Sequence, residues 1–469
     1  MRITKNITIL LIAIITISSV AVLGYSQNWF QTSNQPNNSS IKASSSSAMS
    51  LVLEIYGNAN MDDKIDEEDI LYIQKIIDGI LPPTLFADAN RDGVIDELDI
   101  EYVQAIIDGN AKKLYLLDGN KQEISVLLPA DRIIVEYNQN TELMRILEIE
   151  HLVVGIDSGV DPVKTLFFPD NHTTITSVGG MSVPDYEAIL NLHPTTLLTF
   201  SPDTTEKASK LPGIDVVYLG LYNPNVTNPE DSRFIQGILK AGYIFNKVDR
   251  ATQYANWILD LTSIISTNIN TIPASQRQTV LLTNSPTLGA ARAYVAHDTL
   301  GQACILAGGS NIANPPAGST PLSVTLDVEY ILQQDPQYIF LHTVRYTYGG
   351  GTNEPSQGID ANDPSGMKDV LQQYVSQPAF TNLAAVKNNQ VYLLAGDFRN
   401  NAMGGTLGAV YMAKILYPDV FTDLNPKSIH QEYITKFLRL NYDLDTDGVF
   451  LYPAITVNGD TVGIPAGAN

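Results

Sequence analysis

Short apolar runs alternate with amphipathic stretches through most of the chain. Arg132-Ile133-Ile134-Val135, Leu152-Val153-Val154-Gly155 and Thr196–Phe200 are brief apolar segments bounded by polar residues. Their length and flanks predict strands. Between them, Thr141–Glu148 and Tyr186–Leu192 carry apolar residues at helical spacing. From about Asp231 to Asn268 the positions Phe234, Ile238, Ala241, Phe245, Tyr254, Ile258, Leu261 and Ile265 keep roughly helical spacing, which predicts one long helix. The rhythm then restarts at Thr279–Thr283, Leu300–Ala307, Val328–Gln333, Tyr338–Leu341 and Gln390–Leu394. Such alternation predicts parallel sheets covered by helices. The expected fold is therefore α/β: two Rossmann-like lobes (about 111–230 and 269–441) joined by one long helix (about 231–268), with a C-terminal tail at 442–469. Lys113–Leu117 and Glu123–Leu128, separated by Asp118-Gly119-Asn120, predict a hairpin leading into the first lobe. A cleft is expected between the lobes, lined by loops at the strand ends. A single helix as the joint predicts modest opening.

The N-terminus has a different pattern. Arg2 and Lys5 precede an apolar run from Ile7 to Leu23. Residues 1–25 therefore predict a signal peptide or an N-terminal membrane anchor, and an extracellular or cell-surface location. Residues 26–50, rich in Ser and Asn, predict a flexible linker.

Residues 51–110 contain a repeat with a 30-residue period. Asn58-Ala59-Asn60-Met61-Asp62 recurs as Asp88-Ala89-Asn90-Arg91-Asp92, and both halves close on Ile-Ile-Asp-Gly. Calcium takes about 6–8 oxygen ligands, which a 12-residue loop offers at positions 1, 3, 5, 7, 9 and 12. In loop 1 these are Asn58, Asn60, Asp62, the Lys64 carbonyl, Asp66 and Asp69; in loop 2, Asp88, Asn90, Asp92, the Val94 carbonyl, Asp96 and Asp99. Two bound Ca²⁺ ions are expected. Gly93 supplies the sharp turn at position 6, whereas Asp63 must accept a left-handed conformation there. Loop 2 also has four carboxylates to three in loop 1, so it is expected to bind more tightly.

This region resembles a dockerin, whose duplicated loops end in Asp and keep only the following helix. The resemblance implies a cohesin-bearing partner contacted through Glu67, Glu68, Glu97 and Leu98. Many dockerins carry small hydroxyl residues at those places, and this chain does not.

The order of segments from Leu114 to Leu440 resembles the periplasmic-type substrate-binding proteins of ferric siderophore and cobalamin ABC importers. The matching segments include Asn140-Thr141-Glu142-Leu143, Val178-Gly179-Gly180, Leu306-Ala307-Gly308-Gly309-Ser310-Asn311-Ile312 and Ala385-Val386-Lys387-Asn388-Asn389-Gln390-Val391-Tyr392. The resemblance implies capture of a metal chelate (ferric siderophore, haem or cobalamin) and delivery to a membrane permease. It also implies docking on that permease through one Glu on each lobe, here Glu187 and Glu329. Each of these lies near a helix start, where it also complements the positive helix end. Expected cleft residues are Tyr137, Asn138, Asn140, Gly180, Met181 and Ser182 in lobe 1, and Arg292, Tyr294, Arg345, Tyr346 and Arg399 in lobe 2. Arg beside Tyr suits an anionic, partly aromatic chelate.

Composition narrows the alternatives. A formal net charge of −22 argues against nucleic acid as a partner. The single Cys304 rules out an internal disulfide and reads as a buried thiol. The six histidines are scattered, with no pair at helical ligand spacing. No G-x-S-x-G elbow, P-loop or G-x-G-x-x-G at a strand end is found, so no enzyme is expected. The competing readings are an oxyanion-binding protein of molybdate type with the same fold, and a dockerin-borne extracellular hydrolase. A monomer is expected.

Overall fold

The computed structural model describes residues 51–222, 225, 227, 232–284, 291–342 and 357–468. The predicted signal or anchor and the linker lie outside these residues, as do Arg345 and Tyr346. Among the described residues, no helix is long and apolar enough to cross a membrane.

The calcium-type repeat folds as two short helices, α1 (Glu67–Ile77) and α2 (Glu97–Ile107). Each begins where its loop ends, because an Asp-x-x-Asp pair forms a capping box. Asp66 accepts from Glu68 N while Asp69 accepts from Asp66 N, and Asp96 and Asp99 repeat the pattern. Ile73 and Val103, fully buried, lie on the inner faces of the two helices.

The predicted hairpin follows, with β1 (Lys113–Leu117) paired antiparallel to β2 (Glu123–Leu127) from Lys113 opposite Leu127 to Leu117 opposite Glu123. Lobe 1 is a parallel sheet in the order β5-β4-β3-β8-β9, from β3 (Ile133–Val135), β4 (Val153–Ile156), β5 (Thr176–Ser177), β8 (Thr196–Leu198) and β9 (Asp215–Val217). Its connections include α3 (Asn138–Ile146), the small hairpin β6–β7 (Gly179–Gly180 with Val183–Pro184), α4 (Tyr186–Asn191) and α5 (Thr204–Lys210). One face joins the large core; the other buries Ile134, Val178, Ile189, Leu197 and Leu211.

The predicted single connecting helix is two: α6 (Arg233–Ile244) and α7 (Val248–Ile269). The break falls at Phe245-Asn246-Lys247, where Asn246 takes φ +52°. Asn tolerates that region because its short polar side chain bonds locally. The helices then pack so closely that a Cβ on Gly242 would lie 2.6 Å from Ala251 Cβ. The 22-residue α7 is the element that runs between the lobes, touching α3 on one side. On the other it meets α8 (Thr299–Leu306) and α11 (Thr406–Leu416).

Lobe 2 is mixed rather than wholly parallel, in the order β13-β11-β10-β14-β15-β16, with β12 (Ser310–Asn311) also on β10. β10 (Thr279–Thr283), β14 (Tyr338–His342) and β15 (Val391–Leu394) run parallel. β11 (Ala291–Tyr294), β13 (Ser323–Leu326) and the tail strand β16 (Leu451–Tyr452) are antiparallel additions. α9 (Val328–Gln334) and α10 (Ser365–Val375) complete its main helices. Buried residues of the repeat, the hairpin and both lobes belong to one continuous hydrophobic core.

Candidate functional site

The C-terminal ends of the parallel strands of both lobes meet in a cluster of aromatic and charged side chains. From lobe 1, Tyr137 follows β3, Phe200 follows β8 and Tyr222 follows β9. Tyr137 and Phe200 rings are 4.4 Å apart and tilted, and Phe200 and Tyr222 rings are 4.8 Å apart at an angle that suits edge contact. Tyr137 holds an unusual backbone, φ +73° and ψ +157°, fixed by its N–H donating to Asp157 Oδ2 at 2.5 Å. Strain of this kind concentrates where a side chain must be aimed. Burial pushes the Tyr137 hydroxyl well above its ordinary pKa, with Tyr222 adding to the effect.

From lobe 2 come Arg399, Asp298, Tyr294 and His342. Arg399 donates twice to Asp298, through Nε at 3.0 Å and Nη2 at 2.6 Å to Oδ2, and Asp298 is fully buried. Nη2 also reaches across the cleft to Tyr222 Oη at 2.9 Å. The guanidinium lies 5.2 Å from the Tyr294 ring centre and 5.7 Å from that of Tyr222. Asp298 keeps Arg399 charged despite the burial that works against it. Tyr294 Oη lies 2.9 Å from His342 Nδ1, while His342 Nε2 is buried with no hydrogen-bond partner. Burial pushes this imidazole down to about 3, so it is neutral.

Beside this cluster, a cavity of about 410 Å³ opens between the β6–β7 turn and the loop after β8. Met181, Ser182, Tyr186, Phe200, Asp203 and Lys207 contribute to its walls. Lys207 in its wall is tied down by a buried ion pair: its Nζ is 2.5 Å from Glu136 and also donates to Thr199 Oγ1 and Met181 O.

The sequence-predicted residues divide accordingly. Tyr137, Tyr294 and Arg399 meet in the cluster, and Met181 and Ser182 line the adjoining cavity. Gly180 lies on the same turn, and Asn138 opens α3. Asn140 is not a cleft residue: it is buried, and its Nδ2 donates to Glu136 O and Leu198 O, tying the ends of β3 and β8 together. Arg292 is exposed on β11 and donates to Ser323 Oγ. The sequence also allowed His342 to fall near the cleft, and it does, whereas Phe200, Tyr222 and Asp298 were missed. Their one available signal was position, since Phe200 falls just past a strand's C-terminal end.

Glu187 and Glu329 are both exposed, each in the first turn of its helix, α4 and α9. Exposed leucines follow three residues later, Leu190 at 39% and Leu332 at 39%, so both lobes present the same acid-plus-leucine pair.

In the calcium-type loops the carboxylates turn to backbone N–H groups. Asp62 accepts from Lys64 N, Asp92 from Val94 N, and Asp69 and Asp99 from Asn60 N and Asn90 N. Among the described residues, no three His, Cys, Asp or Glu side chains converge tightly enough to hold a metal. The donor chemistry nonetheless fits a hard cation. Asp88 Oδ1 is buried with no hydrogen-bond partner, and burial drives the Asp69 carboxyl up to about 7. At position 6, Gly93 makes the expected turn, with φ +96°, and donates to Asp88 Oδ2 at 3.1 Å. Asp63 does not adopt the left-handed conformation expected of it. Met61 and Arg91, at position 4, do so instead. In loop 1 the turn is drawn in by Asp62 N donating to Asn58 Oδ1.

Two α/β lobes on a helical joint, with convergent loops between them, define a two-lobed solute-binding protein. Residues 133–397, more than half the chain, match the periplasmic binding protein family, and the chain belongs to that family. The family is one of solute-binding proteins that work with ABC permeases. No curated protein matches the sequence. Among solved structures, the chain is similar to the TroA-like periplasmic binding protein FepB of Veillonella parvula. Identity is 18%, the TM-score 0.57, and coverage 72% of this chain and 98% of that one. It is also similar to the molybdate-binding protein MolA of Haemophilus influenzae (19%, 0.55, 70% and 99%). CeuE of Helicobacter pylori, in a nickel–histidine complex, is a third (15%, 0.53, 70% and 96%). At these identities the likeness establishes the fold.

Proposed function

We propose that this chain captures a metal chelate with aromatic faces outside the cytoplasmic membrane and hands it to an ABC permease. The observation that carries this reading is the Arg399 guanidinium set between Tyr222 and Tyr294, with Tyr137 and Phe200 alongside. Asp298 neutralises Arg399, so the cluster offers ring faces and directed hydrogen bonds more than net positive charge. That favours a sizeable chelate over a small, doubly charged oxyanion such as the molybdate held by MolA. Thermal-shift screening of the full chain tests the choice: a ferric catecholate should raise the midpoint and molybdate should not. Molybdate alone raising it would reverse the reading.

Glu187 and Glu329 are assigned to permease docking, where carboxylates meet Arg side chains in charge-assisted pairs. Supporting this, both are exposed and accompanied by the same exposed leucine. Glu187→Ala with Glu329→Ala should abolish uptake while leaving chelate binding unchanged.

The repeat is assigned two calcium ions, held by the loop oxygens named above, with loop 2 the tighter site. Calorimetric titration of Asp88→Ala and Asp62→Ala variants checks this, and a larger loss of affinity in Asp62→Ala would reverse the order. Glu67, Glu68, Glu97 and Leu98 are all exposed, which leaves the cohesin-facing positions of the dockerin resemblance accessible.

A further inference from the structure

A tethered adaptor needs a linker and a surface of its own. The calcium-type repeat has no linker on its C-terminal side. Ala111 N donates to Ala105 O at the end of α2, and β1 begins two residues later. Residues 51–56 form a strap between loop 1 and the rest of the protein. On the loop side, Leu53 N donates to Asp62 O at 2.7 Å, and Asn58 Nδ2 donates to Leu53 O at 2.7 Å. Asn58 and Asp62 are positions 1 and 5 of loop 1. On the other side, the strap grips α6: Gln236 Nε2 donates to Val52 O at 2.6 Å, and Lys240 Nζ to Glu54 Oε2 at 2.6 Å. Lys240 is 1% exposed, so its end of this pair is shielded from water. The strap also bonds the hairpin, through Leu117 N to Glu54 O and Tyr56 N to Tyr115 O. A second path is direct: Ile65 N, at position 8 of loop 1, donates to Tyr243 Oη on α6 at 2.8 Å. Cavities of about 330 and 450 Å³ lie along the seam between the repeat and the α6–α7 elbow, so these polar contacts supplement an incompletely packed apolar seam.

We infer that the repeat is a structural part of the binding protein, and that calcium in loop 1 sets the stability of the two lobes through the strap and α6. This rests on the calcium reading above. The loop oxygens repel one another without a cation. An ion that gathers them fixes Asn58 and Asp62, hence Leu53, hence Val52 and Glu54 on α6, which leads directly into α7 between the lobes.

Trp257 on α7 reports on the lobes, packed 4.7 Å from the Phe437 ring. It is one of two tryptophans, so Trp29→Phe leaves it as the sole emitter. In that full-length variant, calcium binding is measured by calorimetry and thermal unfolding is followed by Trp257 emission, in calcium chloride or in EDTA. At a hundredfold excess over Kd, the midpoint should rise by about 3 °C per coupled site. Adding Tyr243→Phe and Lys240→Met should keep the calorimetric binding but remove at least half of that shift. Calcium binding with an unmoved Trp257 transition overturns the coupling and leaves the calcium reading standing. Absence of any binding heat overturns both. If the triple variant does not fold, the Trp29→Phe protein decides alone.

Discussion

Glu142 offers the sharpest test of how the lobes are fastened. It is buried on α3, and its Oε2 accepts from Ala402 N at 2.5 Å and from Tyr433 Oη at 2.7 Å. The bonds join lobe 1 to the loop before α11 and to the segment after α12 (Pro426–Glu432). Burial pushes this carboxyl up to about 8; the two hydrogen bonds oppose the rise and Asp397 adds to it. In the unfolded chain a Glu titrates at about 4.3. Between those values the unfolded chain has lost the proton and the folded chain still holds it. Stability therefore falls as pH rises through that window, by about 1.4 kcal/mol per pH unit and about 5 kcal/mol in all. Below the window both states are protonated and above it both are ionised, so the contribution is flat on either side. Glu142→Gln keeps an acceptor for the two donors and does not titrate. Urea unfolding of both proteins from pH 4 to pH 9 should show the variant gaining on the native chain as pH rises, then levelling above about pH 8. A stability difference independent of pH would refute the reasoning, because a merely steric effect of the amide has no such slope.

Other outcomes follow from the same geometry. Arg399→Met strands the buried Asp298 carboxylate and should cost about 3–5 kcal/mol in chemical denaturation, with Asp298→Asn in the same chain restoring most of it. Tyr222→Phe removes one cross-cleft hydrogen bond, so its stability should stay within about 1.5 kcal/mol of native while the chelate-induced thermal shift shrinks. Cys304 is buried, which pushes its thiol up to about 12, so Ellman's reagent should leave the folded chain untouched and label one thiol after unfolding. Phe398→Ala opens a hole among Tyr411, His430 and Phe450 and should cost about 3–5 kcal/mol by urea denaturation.

Periodicity alone determined much of this protein. Apolar runs marked β3, β8, β10, β14 and β15 because a buried strand must be apolar on both faces. The 30-residue repeat located both helices and the turns before them, since a repeat's period is written directly along the chain. Tyr137, Tyr294 and Arg399 were also legible, as polar or aromatic residues near strand ends. What the sequence could not show is which residues end up facing one another. Asn246 breaks the long helical period because a local backbone preference outweighed an apolar pattern that continues across it. Asn140 has the side chain of a ligand contact, yet it is consumed by strand carbonyls, and Arg399 is held in the cluster by Asp298, a residue 101 positions away. The strap from loop 1 to α6 likewise joins Val52 and Glu54 to Gln236 and Lys240, more than 180 residues distant. Partners at such separation leave no periodic trace, because only the packing of the finished core brings them within hydrogen-bonding reach.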